Sequence, residues 1–101
     1  MSIGAPQYRD SNVETLAAGK TLVANDAYLQ ALDPGGAGRT IVLPALKKGL
    51  QVIIDNRADA GEDLTVNDAA SATVVTISQN EDAILTCDGA LWSHVLSKGT
   101  T

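Results

Sequence analysis

The chain has 101 residues, room for one domain with one modest core. Twelve acidic residues against seven basic ones leave a formal charge of −5. The only adjacent basic pair is Lys47-Lys48, which excludes the dense cationic surface that nucleic acid or an anionic membrane requires. Hydrophobic residues make up 45% of the chain, yet there is no Phe, one Trp (Trp92) and two Tyr, so Val, Ile, Leu and Ala must fill the core; a single cysteine, Cys87, excludes an intramolecular disulfide and a multi-cysteine zinc site.

Residues 1–18 follow neither the helical nor the strand period. Gly4, Pro6, Asp10, Ser11 and Asn12 predict an extended, irregular N-terminal arm that orders on a partner. The arm has no apolar stretch of the secretory kind, and no apolar run in the chain approaches the length of a membrane span, so synthesis and retention in a host cytoplasm are expected. From residue 19 to 101 the chain reads as one β domain. Apolar stretches fall at residues 21–24, 28–32, 40–43, 50–54, 64–66, 73–77, 83–87 and 91–96, separated by Gly, Asn, Asp and Pro. Seven to eight short strands at this spacing predict an all-β fold, a small antiparallel β-sandwich or a jelly-roll-like barrel. Asp88-Gly89 between two apolar runs is the strongest hairpin signal, because its tight turn needs positive φ.

Alternation along these strands adds a second expectation. Ile41-Val42-Leu43, Val52-Ile53-Ile54 and Val74-Val75 carry aliphatic residues on both faces, whereas an antiparallel strand with one wet face should alternate cleanly. With no long helix in the pattern, a neighbouring subunit is the simplest cover. The strands bearing Ile41, Leu43, Val52, Ile54 and Val74 are therefore the candidate subunit interface.

Chemical motifs fail at named residues. Gly38-Arg39-Thr40 and Gly19-Lys20-Thr21 imitate the end of a phosphate loop, but the glycine needed five positions earlier is Asp33 in one case and Glu14 in the other. Laid on a calcium loop, Asp55, Asp59 and Asp63 fall at ligand positions. Arg57 occupies the third position, Ala60 replaces the glycine and Val66 stands where a bidentate Glu belongs. Cys87 and His94 lie on neighbouring strands, but no third group orients the histidine, and Cys87 shares its face with Ala83 and Leu85. The pairs Glu62-Asp63 and Glu81-Asp82 sit in turns without the aromatics that hold a sugar. No catalytic residue, metal ligand or cofactor is assigned.

Two local patterns carry a resemblance. Leu43-Pro44, a short loop to Gly49 and then Val52-Ile53-Ile54-Asp55-Asn56 form the first; Glu81 through Gly89 followed by Trp92 forms the second. Over residues 21–95 these resemble small β-modules of tailed-phage virion proteins, found in trimeric tail fibres and head-decoration proteins. The resemblance implies that Asp88 and Gly89 close the last hairpin, that Trp92 packs beside it, and that these roles are structural; Cys87 is counted with them as a core residue. It also implies a homotrimer on the outside of a virion capsid, bound to the major capsid protein where capsomers meet. A tail-associated or receptor-binding module, using loops such as residues 33–38, is the alternative.

Overall fold

The computed structural model describes residues 10–98; the first nine residues of the expected arm lie outside this range. Nine strands and no helix appear among the described residues: β1 (Ser11–Thr15), β2 (Lys20–Thr21), β3 (Leu29–Asp33), β4 (Arg39–Val42), β5 (Gln51–Asn56), β6 (Leu64–Asn67), β7 (Thr73–Ile77), β8 (Asp82–Cys87) and β9 (Trp92–Ser97). They form two sheets, one of five strands in the order β1-β3-β5-β8-β9 and one of four in the order β2-β4-β6-β7. The chain is a small all-β sandwich, as its composition and strand spacing predict.

The sheets are mixed rather than wholly antiparallel. From β1 to β6 the chain steps from one sheet to the other at every strand, so β1, β3 and β5 are parallel neighbours, as are β2, β4 and β6. Parallel neighbours need a crossover, usually a helix. Here the crossover is a strand of the facing sheet. Only the end of the chain pairs antiparallel: β6 with β7, β5 with β8, and β8 with β9.

The irregular arm also needs correcting. Residues 11–15 form β1, paired with β3 at the edge of the larger sheet. Its side chains make this strand hard to see in sequence, since Val13, its only large apolar residue, is 74% exposed. Polar contacts hold it instead. The Asn12 amide donates to the side-chain oxygens of Gln30 at 2.9 Å and Glu14 at 3.0 Å, and Lys20 pairs with Glu14 at 3.1 Å. The Asn12 hydrogen bond, then Lys20, holds the Glu14 carboxyl below its ordinary range. Leu16 is buried, so a boundary at residue 18 falls within the fold.

The core lies between the sheets and is aliphatic, with Leu32, Ile41, Leu43, Ile54, Leu64, Ile77 and Leu85 fully buried. The residues named on the expected interface strands therefore face inward. Ile41, Leu43, Val52 and Ile54 are buried inside the chain's own core, and Val74 packs half-buried against it. Their cover is the facing sheet, so the face left for a neighbour is the opposite one.

One buried polar residue ties the sheets together. Asn56, at the end of β5, is fully buried. Its amide donates to the carbonyls of Glu62 and Ile77 at 2.9 and 2.8 Å, while its oxygen accepts the Ala58 N–H at 2.9 Å. A buried amide is tolerated when its donors and acceptor are partnered, and these three bonds bring the larger sheet to the end of β7 in the smaller one.

Candidate functional site

The hairpin singled out in the sequence forms, but through the longer connection of residues 88–91 between the paired Cys87 and Trp92, in which Gly89 alone has positive φ rather than both Asp88 and Gly89. The Asp88 carboxylate accepts the N–H groups of Ala90 at 2.8 Å and Leu91 at 3.0 Å, and these two bonds hold its pKa below the ordinary aspartate range. Gly89 has φ +98°, in the region that favours glycine. Cys87 is buried, its Sγ accepting the Gly89 N–H at 3.4 Å, and it stands opposite Trp92 in the β8–β9 pair. The chemistry here is packing and turn closure. Trp92 has one unexplained feature: it is only 9% exposed, yet its indole Nε1 has no hydrogen-bond partner among the described residues.

The other chemical candidates are dispersed. His94 is exposed on β9, opposite Leu85 rather than Cys87. Arg39 donates from Nε to the Pro34 carbonyl at 2.7 Å and Lys20 pairs with Glu14, so neither imitation phosphate loop presents a free cradle. Gly35, in the loop before Arg39, has φ +78°, and a Cβ there would lie 2.2 Å from the Leu16 carbonyl oxygen. That loop is packed against its neighbour, which limits its freedom as a recognition loop. Glu81 accepts the Ser78 N–H at 2.8 Å, and Asp82 accepts the Ser97 hydroxyl.

The carboxylates of the rejected calcium-loop alignment do not converge on one another. Asp55 pairs with Arg57, while Asp59 gathers with Glu62 and Asp33, their carboxylate oxygens within 4.8 Å of one another. Asp33 comes from a different strand, which no linear spacing reveals. Three carboxylates at this distance suit a hard cation, but exposed acidic groups gather on many surfaces without one, and the geometry assigns no ion.

The two outer faces differ most from one another. On the five-stranded sheet, Leu29, Ile53, Ile84 and Val95 stand side by side across four strands. Ile84 is 43% and Val95 65% exposed, Leu29 and Ile53 are half-buried, and Val13 is exposed nearby on β1. On the four-stranded sheet the corresponding row is Thr40, Thr65 and Thr76. Beside it run Thr21, Val42, Asn67 and Thr73, where the Thr73 hydroxyl donates to the Asn67 side-chain oxygen at 3.0 Å. One face carries an aliphatic row, flanked by Gln51, Thr86 and Ser93 on one side and Asp55, Asp82 and Ser97 on the other, and the second face is mainly hydroxylated. The aliphatic row is the candidate functional surface. Of its four strands the sequence pattern named only β5, and there the inward residues Val52 and Ile54 rather than Ile53; β3, β8 and β9 were not among the expected interface strands.

Comparison with known proteins adds nothing to this geometry: no family model matches the chain, and neither the curated proteins nor the solved structures include a significant match.

Proposed function

We propose that this chain is a self-associating, non-catalytic structural protein of a tailed-phage virion, a homotrimeric decoration (cement) protein that binds the outer capsid surface and stabilises capsomer junctions. The observation that supports self-association is the aliphatic row Leu29-Ile53-Ile84-Val95 across the outside of the larger sheet. Exposed apolar residues are ordinary when scattered, but a contiguous row across neighbouring strands marks a contact surface. A second copy is the natural occupant. Every copy carries the same row, aliphatic packing needs no charge matching, and symmetric contacts place one patch against its equivalent or a neighbouring one. A chain of 101 residues with a thin core also gains proportionately from such burial.

The number three and the capsid come from the resemblance carried by the hairpin residues Asp88, Gly89 and Trp92 and by the segment from Leu43 to Asn56. In this reading the work is additive. Each subunit makes a modest contact with the major capsid protein, and three contacts joined in one body bind tightly through effective concentration. Location of the protein in a purified virion by cryo-electron microscopy tests it. Density at capsomer junctions on the capsid exterior is expected; density on the tail transfers the protein to the tail-module alternative and overturns the cement role.

A further inference from the structure

The end of the sandwich where β1, β3 and β5 begin is built from Asp10, the connection of residues 22–28, the connection of residues 43–50 and the Asp88 turn. A groove in three linked parts runs between the two connections. One part, about 330 Å³, is walled by Asp10, Asp26, Tyr28 and Gln51. Another, about 390 Å³, is mainly apolar, walled by Leu22, Val23, Pro44 and Leu46 with Lys47 at its rim. A small cavity of about 20 Å³ joins them, sharing Asp26 and Gln51 with the first and Leu22, Val23 and Pro44 with the second. Trp92 lines this junction, and it holds the buried indole N–H that has no acceptor. Val23 and Leu46 stand 54% and 48% exposed at the apolar part. A buried donor without an acceptor beside an open apolar groove calls for an occupant that brings both a carbonyl oxygen and apolar side chains.

We propose that this groove is the docking site of the chain's own N-terminal segment, residues 1–9, with one of its backbone carbonyls accepting the Trp92 indole N–H. The place of attachment supports this, because residue 9 joins the fold at Asp10, on the groove wall. Reach supports it as well. Nine extended residues span up to roughly 30 Å, comparable with the 29 × 23 Å cross-section of the molecule. Composition agrees. In a chain of net charge −5 the segment has no carboxylate; its only charged side chain, Arg9, is next in sequence to Asp10 of the acidic wall, and its other residues, Ile3, Pro6 and Tyr8 among them, are uncharged as an apolar groove requires. The proposal is independent of the virion reading and fails or stands without it.

Nuclear magnetic resonance of the full chain tests it directly, because the sole tryptophan gives a single indole N–H signal. Solvent exchange of that proton should be at least tenfold slower in the full-length protein than in the full-length variants Leu46→Asp and Tyr8→Asp, with the β-sheet circular dichroism retained in each. In a chain beginning at Asp10, a synthetic peptide of residues 1–9 should return the signal to its full-length position. Equal exchange in all four proteins, with no response to the peptide, would overturn the proposal and leave Trp92 to a bound water. A signal position that depends on protein concentration would give the groove to a neighbouring copy's segment and overturn the same-chain assignment.

Discussion

The two outer faces of this sandwich are both built of strands rich in β-branched residues, yet one carries an aliphatic row across its middle and the other a row of threonines. Ile84 and Thr65 are both β-branched, and both suit a pleated surface. Strand propensity therefore explains each residue's presence in a strand and not the difference between the faces. The difference lies in what water can do. A threonine hydroxyl is satisfied by solvent, whereas the row Leu29-Ile53-Ile84-Val95 has nothing to offer it. The hydroxylated face is adequate for a monomer; the proposed self-association would cover the aliphatic row.

Strand β8 gives the sharpest way to separate folding from association, because Leu85 points into the core and Ile84 out of it. Leu85→Ala should cost about 2–5 kcal/mol of fold stability in denaturant titration, the usual range for a buried leucine left as a cavity. Next in size is Asn56→Ala, which removes the side-chain partner of the buried Ile77 carbonyl, of the part-buried Glu62 carbonyl and of the Ala58 N–H; a loss of roughly 2–3 kcal/mol is expected by the same measurement. Exchanging the chemistry of the faces comes third. Ile84→Thr should weaken self-association about tenfold or more, near 1.4 kcal/mol, while leaving the stability of the separate subunit nearly unchanged in sedimentation and melting experiments. The reciprocal Thr65→Val should alter fold stability by less than about 0.5 kcal/mol and leave association unmoved. Equal effects of the two exchanges on association would erase the proposed distinction between the faces.

The smallest expected effect is a pH dependence at the Asp88 turn. Its folded pKa lies below the ordinary aspartate value because the charged form accepts two N–H groups. The stabilisation is therefore fully present above the unfolded-state pKa and disappears as pH falls through the folded one. Melting curves of the wild type and Asp88→Asn should differ at neutral pH and converge below the ordinary aspartate range. Because the carboxylate is fully exposed, solvent screens its contribution to stability, and the effect touches neither outer face.

Most strand positions were legible because apolar stretches and turn residues alternate plainly; residues 73–77 and the Asp88-Gly89 turn are the clearest cases. Their pairing was not. An apolar stretch followed by Gly or Asn reads alike whether the chain doubles back into a hairpin or arches across to the other sheet, so the parallel run from β1 to β6 left no mark in the spacing. β1 escaped notice because hydrogen bonds from Asn12 and the Glu14–Lys20 pair take the place of apolar alternation. The candidate surface was half visible. Two-sided aliphatic strands such as Val52-Ile53-Ile54 announce that both faces need cover, but only the packing reveals that Val52 and Ile54 face the other sheet while Ile53 faces outward. The gathering of Asp33 with Asp59 and Glu62 was hidden for a similar reason, since the fold, not the sequence interval, brings them together.

Mass measurement of the free protein in solution, repeated with Ile84→Asp combined with Val95→Asp, tests the central claim most directly. The account predicts a homotrimer for the wild type at micromolar concentration and a folded monomer for the double variant. A wild-type protein that is monomeric at that concentration, or a double variant that remains a trimer, would contradict it.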